Sequence, residues 1–159
     1  MKKYHVVEPE VMVGLGGQTT FKDENRTEVL ELHIDLEDWL GDDLMENSSC
    51  YIVTENLKNG LENKNYTGFI FDEITLTKAE YFRENYNLDK PFPEFFWMKI
   101  VGQNGDDFYI FDENLQISER ALNFIKEEFQ TNFLDIDKEE DKEIDAFINE
   151  LIKKDSKQK

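Results

Sequence analysis

Residues 95–111 read FFWMKIVGQNGDDFYIF, and this stretch carries the strongest structural signal in the sequence. Its first seven residues are largely apolar on both faces, which is typical of a central strand because a central strand is covered on both sides. The pair Asn104-Gly105 favours the left-handed backbone of a tight turn, and the apolar run 108–111 follows it. The stretch predicts an antiparallel β-hairpin in which Asn104 and Gly105 are the central turn residues.

Residues 28–37 alternate between apolar and polar side chains, which is the pattern of a half-buried strand. The apolar face consists of Leu30, Leu32, Ile34 and Leu36. The polar face consists of Glu31, His33, Asp35 and Glu37. Further strands are predicted near 50–53, 68–76, 94–102 and 107–112.

Hydroxyl residues mark the starts of three predicted helices, namely Thr54, Thr77 and Ser118. The Thr77 hydroxyl can accept from the Glu80 amide while the Glu80 carboxylate reaches back, and this capping box predicts a helix through Tyr86. Ser118 precedes an apolar stripe at helical spacing. The stripe consists of Ala121, Leu122, Ile125 and Phe129.

A fourth helix is predicted near residues 141–154, where apolar residues recur at helical spacing. Its acidic start and its terminal lysines agree with the helix dipole. The mostly charged segment 135–140 predicts a linker. The predicted class is α+β, a mainly antiparallel sheet with flanking helices. Residues 1–134 form a single domain, and 135–159 form an acidic linker and a C-terminal amphipathic helix packed on it.

Two stretches of the sequence resemble each other. Residues 52–57 read IVTENL and residues 116–122 read QISERAL, so each joins an apolar strand end to a hydroxyl residue, a glutamate and an apolar helix. The stretches that follow, 67–69 and 131–133, are again loosely alike. The similarity indicates either a duplicated unit or chance.

Composition limits the class of protein. The 159 residues suffice for one domain with a core, and 13 Phe, 6 Tyr and 2 Trp supply large apolar side chains. Cys50 is the single cysteine, which excludes an intramolecular disulfide and suits a reducing compartment. No run approaches the roughly 20 apolar residues of a membrane span, and acidic residues interrupt the N-terminal apolar run. We expect a soluble cytoplasmic protein that does not bind membranes.

The chain is strongly acidic, with a formal net charge of −18. Residues 4–152 hold 35 of the 36 acidic residues but 12 of the 18 basic ones. Such a field repels nucleic acid and attracts basic proteins. We expect no nucleic-acid binding, and the acidity either keeps the protein soluble or favours a basic protein partner. The oligomeric state stays open.

Motifs that could carry catalysis are weak. The glycine-rich segment 14–20 lacks the spacing and the lysine of phosphate-binding loops, and it predicts a flexible surface loop. His33 and Asp35 share a predicted strand face, but no nucleophile motif surrounds Ser48 or Ser118. His33 and Asp35 are interpreted as part of a polar, exposed face.

Metal sites are equally poorly supported. His5 is the only other histidine, so a multi-histidine site is impossible. Adjacent carboxylates are expected by number alone in so acidic a chain. The run 135–139 lacks the glycine and the final glutamate of a calcium loop. We expect no catalytic residue, no metal and no cofactor.

Trp39 and two pairs of aspartates are the candidate partner-binding residues. Trp39 precedes Asp42 and Asp43 in a short connection after a strand, and Asp106 and Asp107 follow the predicted turn. Large amphipathic rings beside charged groups are common at protein interfaces. The alternative is that Trp39 packs in the core and the aspartates are turn residues.

Taken in chain order, several segments resemble immunity-type domains of bacterial polymorphic toxin systems. The segments are 39–43, 51–55, 68–71, 95–97 and 117–122, which read WLGDD, YIVTE, GFIF, FFW and ISERAL. The similarity covers residues 28–137. It implies a small cytoplasmic protein that binds and neutralises a cognate toxin, with a basic toxin domain as the partner, and it transfers no catalytic or contact residue.

Two other functional classes stay open. A carboxylate-dependent, metal-assisted hydrolase would use the abundant acidic pairs, and a structural adaptor would use the C-terminal amphipathic helix. We expect a toxin-neutralising binding protein and not an enzyme, because no nucleophile arrangement accompanies the two histidines.

Overall fold

Two β-sheets organise the chain, which the computed structural model describes over residues 2–26, 28–86, 91–137 and 150–151. The five-stranded sheet has the order β2 (Glu10–Val11), β6 (Leu44–Asn47), β7 (Cys50–Thr54), β10 (Phe95–Ile100) and β8 (Phe69–Glu73). The four-stranded sheet has the order β11 (Phe108–Phe111), β12 (Asn114–Ser118), β1 (Tyr4–Glu8) and β13 (Asp135–Ile136). Two smaller pairs join β3 (Thr20–Phe21) to β4 (Val29–Glu31) and β5 (His33–Leu36) to β9 (Thr75–Lys78). The helices are α1 (Glu55–Glu62), α2 (Glu80–Asn85) and α3 (Glu119–Glu128).

The predicted α+β class is confirmed, since strands predominate and most paired strands run antiparallel. The strands are distributed over several sheets and not gathered into one. The helix predicted at 141–154 lies outside the described residues except for 150–151. No helix in the described part of the chain is long and apolar enough to cross a membrane.

Strand β10 is central, as predicted, but the predicted hairpin is wrong. Both edges of β10 are taken, by β7 on one side and β8 on the other, so β11 pairs with β12 in the second sheet. That pair closes through Asp112 and Glu113, whose φ angles of 51° and 64° fit the tight turns of two-residue hairpins. Between β10 and β11, Gly105 has a φ of 110°, whereas Asn104 has no positive φ.

The predicted strand 28–37 divides into β4 and β5. The first half pairs with β3, and the second half pairs in parallel with β9. The predicted alternation of buried and exposed side chains therefore does not extend over the whole of residues 28–37. Leu30 is 50% exposed, and His33 is buried although it was placed on the polar face. The predicted strand 68–76 likewise divides, since β8 joins the five-stranded sheet and β9 leaves it.

Two of the three predicted helix caps are confirmed. The Thr54 and Ser118 hydroxyls accept from the backbone N–H of Leu57 and Ala121, each at 3.4 Å, at the starts of α1 and α3. The Thr77 cap is wrong, because α2 begins at Glu80 after an N-cap residue that makes no side-chain hydrogen bond. Thr77 belongs to β9 and uses its hydroxyl in a contact between strands.

The core lies on both faces of the five-stranded sheet. One cluster fills the space between this sheet, the four-stranded sheet, α1 and α3; it includes Val53, Leu57, Met98, Ile117 and Ile125. The other lies against β5 and α2; it includes Ile34, Trp39, Ile52, Phe82 and Trp97. Because both faces are covered, the residues available to a partner lie on connections, strand edges and the outer elements.

The similarity between residues 52–57 and 116–122 reflects two units with the same spatial order of strands, although β1 precedes the rest of its unit in sequence whereas its counterpart β10 follows β8. The first unit is β6, β7, α1, β8 and β10, and the second is β11, β12, α3, β13 and β1, with the strand orders β6-β7-β10-β8 and β11-β12-β1-β13. Leu44 pairs with Val53 as Phe108 pairs with Ile117, so both hairpins have the same register at an offset of 64 residues. The structure favours the duplicated unit over chance.

The units also exchange equivalent contacts. The carboxylate of Asp107 accepts from the N–H of Thr67, just ahead of β8, and the carboxylate of Asp43 accepts from the N–H of Gln130, after α3. Such reciprocity is typical of two copies related by an approximate two-fold axis. Residues 135–137, predicted as the start of a linker, are part of the second unit. Asp135 and Ile136 form β13, and the Asp137 carboxylate contacts His5.

Candidate partner-binding surface

The structure divides the five residues that the sequence nominated for partner binding. Trp39, Asp42 and Asp107 are buried, with exposed fractions of 3%, 1% and 0%. Asp43 and Asp106 are half-buried. A partner reaches only the surface, so burial argues against direct contact with the first three.

Asp107 is the centre of a hydrogen-bond network. Arg120 donates from Nε at 2.9 Å and from Nη2 at 2.8 Å, one bond to each carboxylate oxygen. The Ser118 hydroxyl donates at 2.6 Å and the Thr67 N–H at 3.0 Å. Burial opposes ionisation of Asp107, but the hydrogen bonds from Arg120, Ser118 and Thr67 hold its pKa well below its usual range. Asp107 is therefore an anchor of the fold.

Asp42 and Asp43 hold the chain that follows α3. The Asp42 carboxylate accepts from the two backbone N–H groups of residues 132–133, both at 2.8 Å. The Asp43 carboxylate accepts from the N–H of Gln130 at 2.7 Å and from the Thr54 hydroxyl at 2.5 Å. Each oxygen of these two carboxylates accepts a hydrogen bond inside the molecule.

Trp39 packs in an aromatic cluster and does not face solvent. Its ring contacts the rings of Tyr86, Phe92 and Phe95, with centroid distances of 6.5, 5.9 and 5.2 Å. Its indole N–H donates to the carbonyl of Asp42 at 2.9 Å. The alternative of core packing is the arrangement found, and it fixes the connection that follows β5.

His33 and Asp35 form a chain through Thr77 that does not suit catalysis. The N–H of Gln18 donates to Nδ1 of His33 at 3.1 Å, so the neutral ring carries its proton on Nε2. Nε2 then donates to the Thr77 hydroxyl at 2.8 Å, and that hydroxyl donates to Asp35 at 2.7 Å. A general base must accept a proton from the hydroxyl, whereas this ring donates one. This chain of hydrogen bonds joins β5 to β9.

The glycine-rich segment 14–20 is bonded to β5, which corrects the expectation of a flexible loop. Gly16 N–H donates to the carbonyl of His33, and Asp35 N–H donates to the carbonyl of Gly14, both at 2.8 Å. A Cβ on Gly14 would lie 1.9 Å from the carbonyl oxygen of Asp35, and one on Gly16 would lie 2.1 Å from the His33 ring. The glycines permit this close approach.

An exposed surface of mixed apolar and acidic character lies beside the buried Trp39. We call it the acidic patch, and it consists of Val13, Glu37, Asp38 and Tyr81. These four residues line a shallow cavity of about 390 Å³. Tyr81 is 62% exposed, and Val13 is 46% exposed. Both carboxylates of the patch are exposed as well.

Hydrogen bonds fix the backbone of the acidic patch. Glu37 N–H donates to the carbonyl of Val13 at 3.1 Å. The buried carboxyl of Glu10 accepts from the N–H groups of Leu40 at 3.1 Å and Asp42 at 3.4 Å. Burial raises the pKa of Glu10 from 4.5 to about 7. The connection that presents the patch is therefore pre-organised.

A second acidic surface lies where β8 ends and β10 begins. It is a cleft of about 510 Å³ whose lining includes Glu73, Glu94, Phe92 and Phe96. Glu73 and Glu94 are exposed. This cleft has the same number of exposed carboxylates as the acidic patch, and it therefore serves as a matched control for the effect of charge.

A further cavity is a groove of about 660 Å³ beside the start of β7 and the end of β10, lined by apolar side chains together with Arg26, Ser48 and Lys99. Its walls include Leu15, Leu30, Val101 and Ile110, which are 39–60% exposed. Its size is within the range of ligand-binding clefts. The rim also carries Arg26, whose guanidinium lies 5.1 Å from the centre of the Phe21 ring.

Comparison of the chain with models of protein families, with curated proteins and with solved structures finds no match.

The sequence nominated Trp39 and Asp42, which are buried, in the connection that also carries the exposed Glu37 and Asp38. Glu37 and Asp38 stand directly before Trp39, and the acidic patch is formed around them. A clue was available, since charged residues that flank a buried Trp must face solvent. Val13 and Tyr81 reach the patch from distant segments, and no local pattern marks them.

Proposed function

We propose that the protein is an immunity-type binding protein that neutralises a basic toxin domain in the cytoplasm, with the acidic patch as its contact surface. The exposed acidic patch is the observation that carries this proposal. Its apolar and aromatic side chains, Val13 and Tyr81, offer area to bury, and Glu37 and Asp38 offer charge. Protein interfaces combine an aromatic anchor with a polar rim in this way.

The charge of the chain supports a basic partner. With a net charge of −18, the protein attracts a positively charged domain over distances beyond direct contact. Glu37 and Asp38 then pair with lysine or arginine side chains at the rim of the interface. Charges in such positions mainly raise the association rate.

The internal hydrogen bonds support a preformed binding surface. The connection that carries the patch is fixed by the Glu10 carboxyl, by the carbonyl of Val13 and by the indole of Trp39. A surface that is ordered before binding loses less conformational entropy when the partner docks. A tight inhibitor benefits from such a surface.

The reactive side chains of the described part favour binding over catalysis. The His33 ring donates its proton to the Thr77 hydroxyl and cannot act as a base toward it in that state. Cys50 is buried, and burial raises the pKa of its thiol to about 11, so the thiolate needed for nucleophilic attack is scarce at neutral pH.

A co-expression assay tests this function. Cells that produce the toxin from the neighbouring reading frame receive the wild-type protein, the double variant Glu37→Lys with Asp38→Lys, or the control Glu73→Lys with Glu94→Lys. Both doubles change the net charge equally. We expect growth with the wild type and the control, and loss of rescue with the first double variant. Melting temperatures establish that all three proteins are folded.

Two outcomes contradict the proposal. Equal rescue by both double variants means that the acidic patch does not contact the toxin. Absence of rescue by the folded wild-type protein means that it is not the immunity protein for that toxin domain. An association rate that does not fall when the salt concentration rises from about 50 mM to about 500 mM removes the electrostatic part of the mechanism.

A further inference from the structure

The two equivalent units differ at one strand edge. Strands β6 and β11 occupy the same position in their units, and Glu46 of β6 corresponds to Ile110 of β11 at the offset of 64 residues. In both units this strand is joined by a two-residue turn to the next strand. The surroundings of β6 therefore show what the outer edge of β11 is shaped to accept.

The outer edge of β6 is occupied by another segment of the chain. Strand β2 runs parallel to it, with Val11 opposite Glu46. The N–H of Met12 donates to the carbonyl of Glu46 at 2.9 Å. A short extended segment thus completes the first unit through backbone hydrogen bonds.

The outer edge of β11 carries no such segment among residues 2–26, 28–86 and 91–137, where β11 is the terminal strand of its sheet. Phe108 N–H donates to the carbonyl of Thr67, so it points away from β12. In an antiparallel pair, alternate residues point to the same edge, and the N–H and C=O of Ile110 therefore lie on the open side. Ile110 is 42% exposed and the adjoining Phe111 is 66% exposed.

The side chains of β11 lack the usual protection of an open edge. Exposed edge strands commonly carry lysine, proline or a bulge that prevents pairing with other chains. Strand β11 reads FYIF and has none of these. Ile110 and Val101 also belong to the apolar part of the wall of the groove at the end of β10, which gives room to the side chains of an added strand.

We propose that an extended segment of a protein partner adds to β11 as a parallel strand, through the backbone of Ile110, as β2 adds to β6. Addition of a strand to a sheet edge is a general mode of peptide recognition. The segment carries apolar residues that face the groove and basic residues that face the exposed Asp112 and Glu113. A second copy of the chain is disfavoured by mutual repulsion at a net charge of −18.

The identity of the partner rests on the proposed function, whereas the strand edge can be tested without it. The probe is the peptide acetyl-Lys-Val-Lys-Val-Lys-Val-Lys-amide, and its control is the same peptide N-methylated at every residue, which keeps the charge but lacks backbone donors. Binding is measured by fluorescence anisotropy on the full chain. Hydrogen exchange of the Ile110 amide reports whether that N–H becomes protected.

Two variants separate the backbone from the side chain. Ile110→Pro removes the outward N–H, which takes no part in the pairing with β12, together with the isoleucine side chain, and proline is tolerated at edge positions of this kind. Ile110→Ala removes the side chain but keeps the N–H, and it is the matched control. We expect the peptide to bind the wild type and Ile110→Ala with slowed exchange at residue 110. We expect at least tenfold weaker binding for Ile110→Pro and for the N-methylated peptide.

Several results overturn the proposal. They are no binding below about 1 mM peptide, equal binding of the N-methylated peptide, and undiminished binding by a folded Ile110→Pro variant. A dimer in sedimentation experiments that Ile110→Pro dissolves would show that a second copy occupies the edge instead. Because the toxin is absent from this assay, its failure leaves the co-expression result untouched, and the reverse also holds.

Discussion

Glu10 should make the stability of the protein depend on pH in the direction opposite to a carboxylate whose pKa is lowered by folding, such as Asp107. Its side chain is 4% exposed, and Oε2 is a buried oxygen with no hydrogen-bond partner among the described residues. Burial raises its pKa from 4.5 to about 7. The N–H groups of Leu40 and Asp42 act in the lowering direction, and the negative charges of Asp42 and Asp38 act again in the raising direction.

The direction of this pH dependence follows from the number of protons bound by the folded and the unfolded protein. Between pH 4.5 and about 7, the folded protein keeps a proton on Glu10 that the unfolded chain has released. The free energy of unfolding contributed by this group is therefore highest below pH 4.5, falls as the pH rises, and is lowest above pH 7. Each tenfold change in proton affinity is worth about 1.4 kcal/mol, so the full loss is about 3 kcal/mol.

The perturbation that isolates this effect is Glu10→Gln. The amide keeps the acceptor for Leu40 and Asp42 but never ionises, and all other titrating groups are shared with the wild type. Urea unfolding of both proteins at a series of pH values gives the difference in the free energy of unfolding. We expect the difference to shift in favour of the variant by about 2.5 kcal/mol between about pH 5 and about pH 8.5.

The exposed residue Glu31 provides a control. Glu31→Gln removes one negative charge without removing a buried one, so its stability relative to the wild type should stay nearly constant over the same pH range. The reasoning about Glu10 is refuted if the difference between Glu10→Gln and the wild type is equally constant. A difference that shifts in favour of the wild type with rising pH refutes it as well.

Two further substitutions test the structural roles assigned above. Asp107→Asn should cost about 2 kcal/mol near neutral pH, because its NH2 group replaces one of the buried oxygens that accept hydrogen bonds from Arg120, Ser118 and Thr67. In urea unfolding this cost should shrink as the pH falls through the lowered pKa of Asp107, and an equal cost at acid pH contradicts it. Gly16→Ala should cost about 2 kcal/mol in the same assay because its Cβ meets the His33 ring. Gly17→Ala, whose Cβ meets nothing within 4 Å, should be close to neutral, and equal costs would refute the packing explanation.

Features that depend on neighbours in sequence could be predicted. Strand β7, strand β10 and the caps at Thr54 and Ser118 each have a local cause, in apolar runs or in a hydroxyl placed before a helix. The repeat was visible for the same reason, since the caps are its best-preserved parts. Local chemistry thus fixed the elements but not their partners.

Features that depend on distant segments could not be predicted. Asn104-Gly105 is a favourable turn pair, yet β10 finds better neighbours in β7 and β8, and the turn serves only as a connection. Asp42 bonds to residues 132–133, some 90 positions away in sequence. A surface aspartate and a buried aspartate that accepts backbone N–H groups look alike in a sequence, so the burial of Asp42 and Asp107 could not be predicted.

The division between repeat and insertion explains where binding can occur. The repeated units use their own aspartates, Asp43 and Asp107, to hold each other, and these residues cannot change without loss of the scaffold. The acidic patch is built wholly from segments outside the repeat, 9–42 and 74–93, and among the described residues no such segment pairs with the outer edge of β11. Substitutions in these two regions leave the contacts between the units intact. Specificity for a partner can therefore change there while the fold is retained.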